Sequence, residues 1–144
     1  MDDVKIEVAD WIDAEFEADV SGGLAAFNAR ELGPSAQRDL AVSVYRGEEF
    51  VGGLAGFTAW EWLFVKWLWI RDDARGAGLG ARVVQAAERE AIRRGCRAAW
   101  LDTLNPAAKQ LYERAGFAVF GELPDFSAGR TRYFMQKRFG AGPD

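Results

Sequence analysis

The chain has 144 residues, of which 49% are hydrophobic and 28% charged, with a formal net charge of −4. That length suits one domain, residues 1–144, around a single core, and the composition excludes disordered and fibrous classes. Histidine is absent, which excludes Ser-His and Cys-His nucleophile pairs and histidine-liganded zinc. No metal site is expected, and proton transfer falls to carboxylates, tyrosine, lysine or water.

Basic residues are interleaved with acidic ones, so no sustained basic face is expected and nucleic acid is not an expected partner. The opening MDDVKIEVAD lacks the pattern of a signal peptide. No run reaches the ~18 apolar residues of a membrane span. One cysteine, Cys96, forbids an intrachain disulfide and fits a small buried hydrophobe in a reducing compartment. A cytoplasmic protein without a membrane partner is expected.

Residues 4–8, VKIEV, alternate apolar and polar and predict a first strand. Phe16, Val20, Leu24 and Phe27 recur at helical spacing between Asp13 and Leu32, with Gly22-Gly23 predicting a break or bend. Strands follow at 40–46 and 50–59 around the turn Gly47-Glu48-Glu49. Gly52, Gly53 and Gly56 in the second of these mark a bulge or a close approach by another group. Residues 62–70, WLFVKWLWI, are nearly all apolar, with Lys66 the only charge, and predict a strand covered on both faces.

A helix over 78–94 carries Leu79, Val83, Ala87 and Ala91 on one face and is closed by Gly95, with a strand over 97–102 completing a strand–helix–strand crossover. Asn105-Pro106 predicts the cap and first turn of a short helix ending at Gly116. Strands at 117–121 and 131–138 joined by a loop through LPDFSAG close the chain. The order is that of an α+β fold with one embedded crossover.

The crossover helix opens after RDDARGAGLG, with Gly76, Gly78 and Gly80 at every second position. Bare backbone N–H groups and the positive end of a helix dipole make an anion site there, and Arg75 can add a charge beside it. A P-loop is rejected because Ala81-Arg82, not Lys-Ser/Thr, follow the last glycine. The dinucleotide fingerprint is formally met by Gly76, Gly78 and Ala81, with Asp102 about 20 residues on. The five residues Arg71–Arg75 between strand and first glycine, and the 42 left after Asp102, do not fit a doubly wound sheet.

Arg75-Gly-Ala-Gly-Leu-Gly80 resembles the R/Q-x-x-G-x-G/A motif of the GNAT superfamily of acetyl-coenzyme A dependent N-acetyltransferases. The resemblance continues through Asn105 and Leu111-Tyr-Glu-Arg-Ala-Gly-Phe117, covering about residues 60–121. It implies a mixed, largely antiparallel, twisted sheet of six to seven strands, with a splayed parallel pair and about four flanking helices. The pair would be 62–70 and 97–102.

The resemblance implies a pyrophosphate on Arg75, Gly76, Ala77, Gly78, Leu79, Gly80 and Ala81. It places pantetheine against the backbone of Leu68, Trp69 and Ile70, with Asn105 and Ala108 as further cofactor contacts. Tyr112 matches the usual general acid and touches the cofactor. Glu61 and Asp102 are the candidate bases, with a water chain as substitute.

The implied activity is transfer of acetyl from acetyl-coenzyme A to a primary amine in a ternary complex, without a covalent enzyme intermediate. A small-molecule acceptor is expected because the chain leaves only short loops, with the N-terminal helical region 13–32 and the loop 122–130 framing it. The acidic balance favours a cationic amine, and a homodimer is among the expected states. A protein or peptide acetyltransferase and a non-catalytic acyl-coenzyme A sensor remain as alternatives. Which of Trp60, Trp62, Trp67, Trp69 and Trp100 line an acceptor pocket stays open.

Overall fold

A computed structural model describes residues 3–140, and chain contacts divide it between Ser35 and Ala36 into a smaller unit and a larger one. The smaller unit is built on α1 (Ala14–Leu32). Asp13 caps it by accepting from the Phe16 N–H at 2.7 Å, and Glu15 and Glu17 complement the first-turn dipole. Gly22-Gly23 do not break this helix, contrary to expectation; the good helix formers around them, with an N-cap in place, outweigh about 1 kcal/mol per glycine. Residues 4–8 are not a strand, a second departure, and Val4, Ile6 and Val8 are exposed. Alternation alone stabilises five residues only where a neighbouring strand takes their hydrogen bonds.

The larger unit is one six-stranded sheet in the order β1-β2-β3-β4-β6-β5. Its strands are β1 (Arg38–Arg46), β2 (Glu49–Ala59), β3 (Trp62–Ile70), β4 (Ala98–Thr103), β5 (Ala118–Ser127) and β6 (Arg130–Arg138). Among the described residues the parallel neighbours are β3 and β4 alone, joined through the crossover helix α2 (Leu79–Arg93); the other pairs are antiparallel. The short helix α3 (Pro106–Arg114) follows β4. Three helices are therefore described where about four are expected. The predicted loop 122–130 is largely strand: β5 runs to Ser127, its register slipping between Leu123 and Ser127. Pro124 is tolerated because β5 is an edge strand.

One sheet face packs on α2 and α3. Val83, Val84, Ala87 and Ala91 of α2 and Tyr112 of α3 meet Leu54, Leu63, Val65, Leu101 and Met135 in a continuous core. Cys96 is buried at its edge and behaves as the hydrophobe expected; burial pushes its thiol pKa up, away from reactivity. The opposite face is aromatic. Phe64 lies 4.4 Å from Trp100 and 5.4 Å from Phe57 between ring centroids, and Trp62, Trp100, Phe120 and Gln136 line a shallow apolar hollow.

A bulge in β3 decides which tryptophans face where. Gly56 pairs with Val65 and Ala55 with Trp67, so Lys66 is the extra residue. Strict alternation from Leu63 and Val65 would send Trp67 and Trp69 into the core. The added residue reverses the parity, keeping Leu68 and Ile70 against the core and turning both indoles outward, 65% and 49% exposed. Gly56 makes room for this, since a Cβ there would collide with the Phe64 carbonyl oxygen.

Candidate active site

The bulge also marks where the sheet opens. β3 and β4 pair from Trp62↔Ala98 to Val65↔Leu101 and no further. Beyond that point β4 continues beside β6, Asp102 facing Phe134 and Thr103 facing Tyr133, while residues 67–70 stay paired with β2 only. The result is a wedge between two parallel strands. One of its walls is the edge of β3 over residues 68–70, which pairs with no strand on the β4 side.

The chain leaves β3 through a 3₁₀ turn, Asp72–Ala74, and enters α2 by the glycine-rich turn. Gly76 and Gly78 have φ of +87° and +74°, the left-handed region where other residues are strained, and Gly78 is the N-cap. A Cβ at either would meet nothing within 4 Å, so the turn is open. Gly80 has a different job: its Cβ would stand 2.5 Å from a Leu111 methyl, so a missing side chain lets α2 and α3 pack beside Tyr112.

The start of α2 differs from the other helix starts. Asp13 caps α1 and Asn105 caps α3, whereas α2 has no side-chain cap and no acid in its first turn. The first N–H groups of a helix need an acceptor, and here the protein's side chains leave room for one from outside. Arg75 is tied down rather than free: Nε donates to the Ile70 carbonyl at 2.7 Å and Nη1 pairs with Asp72 at 2.7 Å. It pins the end of β3 to the turn.

Tyr112, on α3, is buried at 5% exposure and stands edge-on to Phe117. Burial, helped by the negative charge of Asp102, pushes its pKa up to about 12. Asp102 itself sits at the open end of β4, bound by Arg132 through Nε at 2.9 Å and Nη2 at 2.8 Å. Asn105 accepts from the N–H groups of Ala107 at 2.9 Å and Ala108 at 3.4 Å. The Ala108 N–H is thus already engaged.

Glu61 lies apart from these groups, in the β2–β3 turn at the closed end of the strand pair. Its side chain faces Arg97 at 3.4 Å, and its carbonyl accepts from the Arg97 N–H at 2.8 Å. Three contributors escaped sequence reasoning: Arg132, which holds Asp102, and the pair Lys137–Glu88. Lys137 Nζ donates to Glu88 of α2 at 2.8 Å and to the Ala115 carbonyl beyond α3 at 2.6 Å, linking β6, α2 and the end of α3. No local spacing connects residues 49 positions apart.

This geometry agrees with the comparisons. The model of the Acetyltransferase (GNAT) family matches residues 6–117. An acetyltransferase of Agrobacterium fabrum is 39% identical over 133 residues, 92% of this chain and 97% of its own length. A blasticidin-S acetyltransferase of Streptomyces morookaense is 38% identical over 62% of this chain and 66% of its own. A crystal structure from Agrobacterium tumefaciens, 37% identical, covers 94% of this chain and 100% of its own with a TM-score of 0.88. A wedge between parallel strands, fed by an uncapped glycine-rich helix start, is the framework of an acyltransferase. The chain belongs to the GNAT family and is an acetyltransferase of that family.

Proposed function

We propose that the enzyme moves acetyl from acetyl-coenzyme A to a primary amine on a small molecule, with both substrates held together. The observation that carries this is the α2 start, uncapped, free of acids and opened by two left-handed glycines, beside the wedge between β3 and β4. Those features fit a pyrophosphate. The backbone of Gly76, Ala77, Gly78, Leu79, Gly80 and Ala81 would hold it, Arg75 fixing the turn. Leu68, Trp69 and Ile70 would line the pantetheine arm, and Asn105 and Ala108 would stand beside it on α3.

Bound there, the cofactor supplies an acetyl group already activated as a thioester. The chain's own part is to orient the amine and supply a proton. Tyr112 is the proposed acid: a phenol with a pKa of about 12 keeps its proton at neutral pH until a thiolate leaves. Asp102 is the proposed base, in preference to Glu61, because it stands at the open end of β4 while Glu61 lies at the closed end. Its ion pair with Arg132 fixes the position of that carboxylate.

A small acceptor is supported by the relative that acts on blasticidin S. A homodimer is proposed from α1, where Phe16, Val20, Leu24 and Phe27 are each about half exposed and no residue is buried. No described helix is long and apolar enough to cross a membrane; a cytoplasmic site of action is part of the proposal. Calorimetry with acetyl-coenzyme A, followed by thiol release across an amine panel, tests the reading. Absence of affinity would sink it, and binding without transfer would make the protein a sensor.

A further inference from the structure

We propose that the acceptor amine is carried on a flat conjugated ring that stacks on Trp69 and Trp67, an inference that rests on the acetyl-transfer reading above and specifies its second substrate. Three observations lead there.

The first is position. Trp67 and Trp69 belong to the part of β3 that has left β4, so they stand beside the wedge. Leu68 and Ile70, alternating with them, pack on the core face that also carries α2. The indoles therefore border the wedge on the face away from the glycine-rich turn. With the cofactor entering from the α2 side, an amine reaches the acetyl group from the indole side.

The second is support. Trp69 stacks on Phe50 with centroids 6.3 Å apart and planes at 26°, and Tyr45 meets Phe50 edge-on at 5.7 Å. The row crosses three strands, since Trp69 is opposite Gly53 of β2 and Phe50 is opposite Tyr45 of β1. An indole held this way is half exposed without being loose, and its flat surface matches another flat ring.

The third is charge, which separates a conjugated ring from an aliphatic polycation. An aromatic face attracts either one. Here Lys66, the bulge residue, already places its ammonium 4.6 Å from the centre of the Trp67 ring. A second cation beside it would be repelled, whereas a neutral or weakly basic ring would not. The overall acidity of the chain favours a cationic amine, but the Trp67 ring already carries the Lys66 ammonium. Ring stacking is what remains.

The test compares primary amines on the purified protein, phenethylamine, tryptamine and 5′-amino-5′-deoxyadenosine against butylamine and 1,4-diaminobutane, with thiol release followed at saturating acetyl-coenzyme A. The ring amines are expected to have the higher kcat/KM, by about tenfold. Trp69→Ala should collapse that preference through the acceptor KM, and Trp69→Phe should keep most of it. Trp67→Ala, which alters the more exposed indole, should reduce the preference in the same direction and serves where Trp69→Ala does not fold. 5′-Amino-5′-deoxyadenosine, which carries no indole, should also quench tryptophan fluorescence saturably, less so in either alanine variant.

Equal turnover of the two series, or a preference for the aliphatic diamine, overturns the inference while leaving acetyl transfer intact. Retention of the ring preference in both alanine variants overturns it as well. No acetyl-coenzyme A affinity, or no amine of either series acetylated, fails the underlying reading instead.

Discussion

Tyr112 concentrates the residue-scale argument because its environment and proposed role pull the same way. Tyr112→Phe removes one hydroxyl from a packed site, so folding should be nearly unaffected while kcat falls by about a hundredfold, the low end for general acid catalysis. The acetyl-coenzyme A KM should change little. The phenol also has a spectroscopic signature: in the 295 nm difference between parent and variant, one phenolate should appear near pH 12 rather than near the ordinary value of about 10. Its folded pKa is raised, so its contribution to stability is complete below about pH 10 and is lost as pH climbs from 10 to 12, the unfolded chain ionising first. Loss of activity between pH 7 and 9 with that same signature at 12 would show that another group supplies the proton. At the turn, Gly78→Val places a β-branched residue at φ +74° and should cost about 1–2 kcal/mol, with weaker acetyl-coenzyme A binding by calorimetry. Unchanged affinity would count against the pyrophosphate site.

Among the elements, the clamp at the back of α3 makes a claim of its own. Lys137 is bonded to Glu88 and to the Ala115 carbonyl, and the second Glu88 carboxylate oxygen is buried without a partner. Lys137→Met strands that carboxylate between α2 and β6. Because both side chains are only partly covered, at 25% and 13% exposure, the loss should be about 2–3 kcal/mol in denaturant unfolding, below the cost for a fully buried pair. Lys137→Met combined with Glu88→Leu should recover most of it; a double variant as unstable as the single one would show that the pair is not the cause. The elements themselves were largely readable in advance. The WLFVKWLWI strand, the Asn105-Pro106 helix start and the crossover follow from periodicity and capping, which act locally. The strand at VKIEV and the break at Gly22-Gly23 misled because each rests on a local preference too weak to decide. Of the candidate site, the glycine turn and LYERAGF were visible as motif, and Lys66 as an odd charge in an apolar run. Its consequence was not visible: whether Trp67 faces core or wedge depends on which β2 residue pairs with it, a non-local fact. Arg132 against Asp102 was hidden for the same reason.

At the scale of the whole molecule, charge and apolar surface are unevenly shared along the sequence. The described part of the smaller unit carries a strong excess of acid, with Asp10, Asp13, Glu15, Glu17 and Asp19 clustered around the start of α1. The same helix shows solvent Phe16 at 55%, Val20 at 54%, Leu24 at 58% and Phe27 at 51%. These four recur at spacings of four, four and three, one stripe of a helix, and such a stripe is the usual material of an interface. A self-complementary contact uses the same patch on both copies, so each side chain counts twice. Light scattering on the parent should therefore give twice the 15.9 kDa chain mass. Val20→Glu with Leu24→Glu removes four buried side chains from such a dimer at roughly 1.5 kcal/mol each, enough to weaken association by at least about a thousandfold. That variant should sediment as a monomer at micromolar concentration with the circular dichroism of the parent. A parent that already runs as a monomer would refute the dimer while leaving the chemistry of the wedge untouched, because Tyr112, the α2 turn and the indoles all lie in the larger unit.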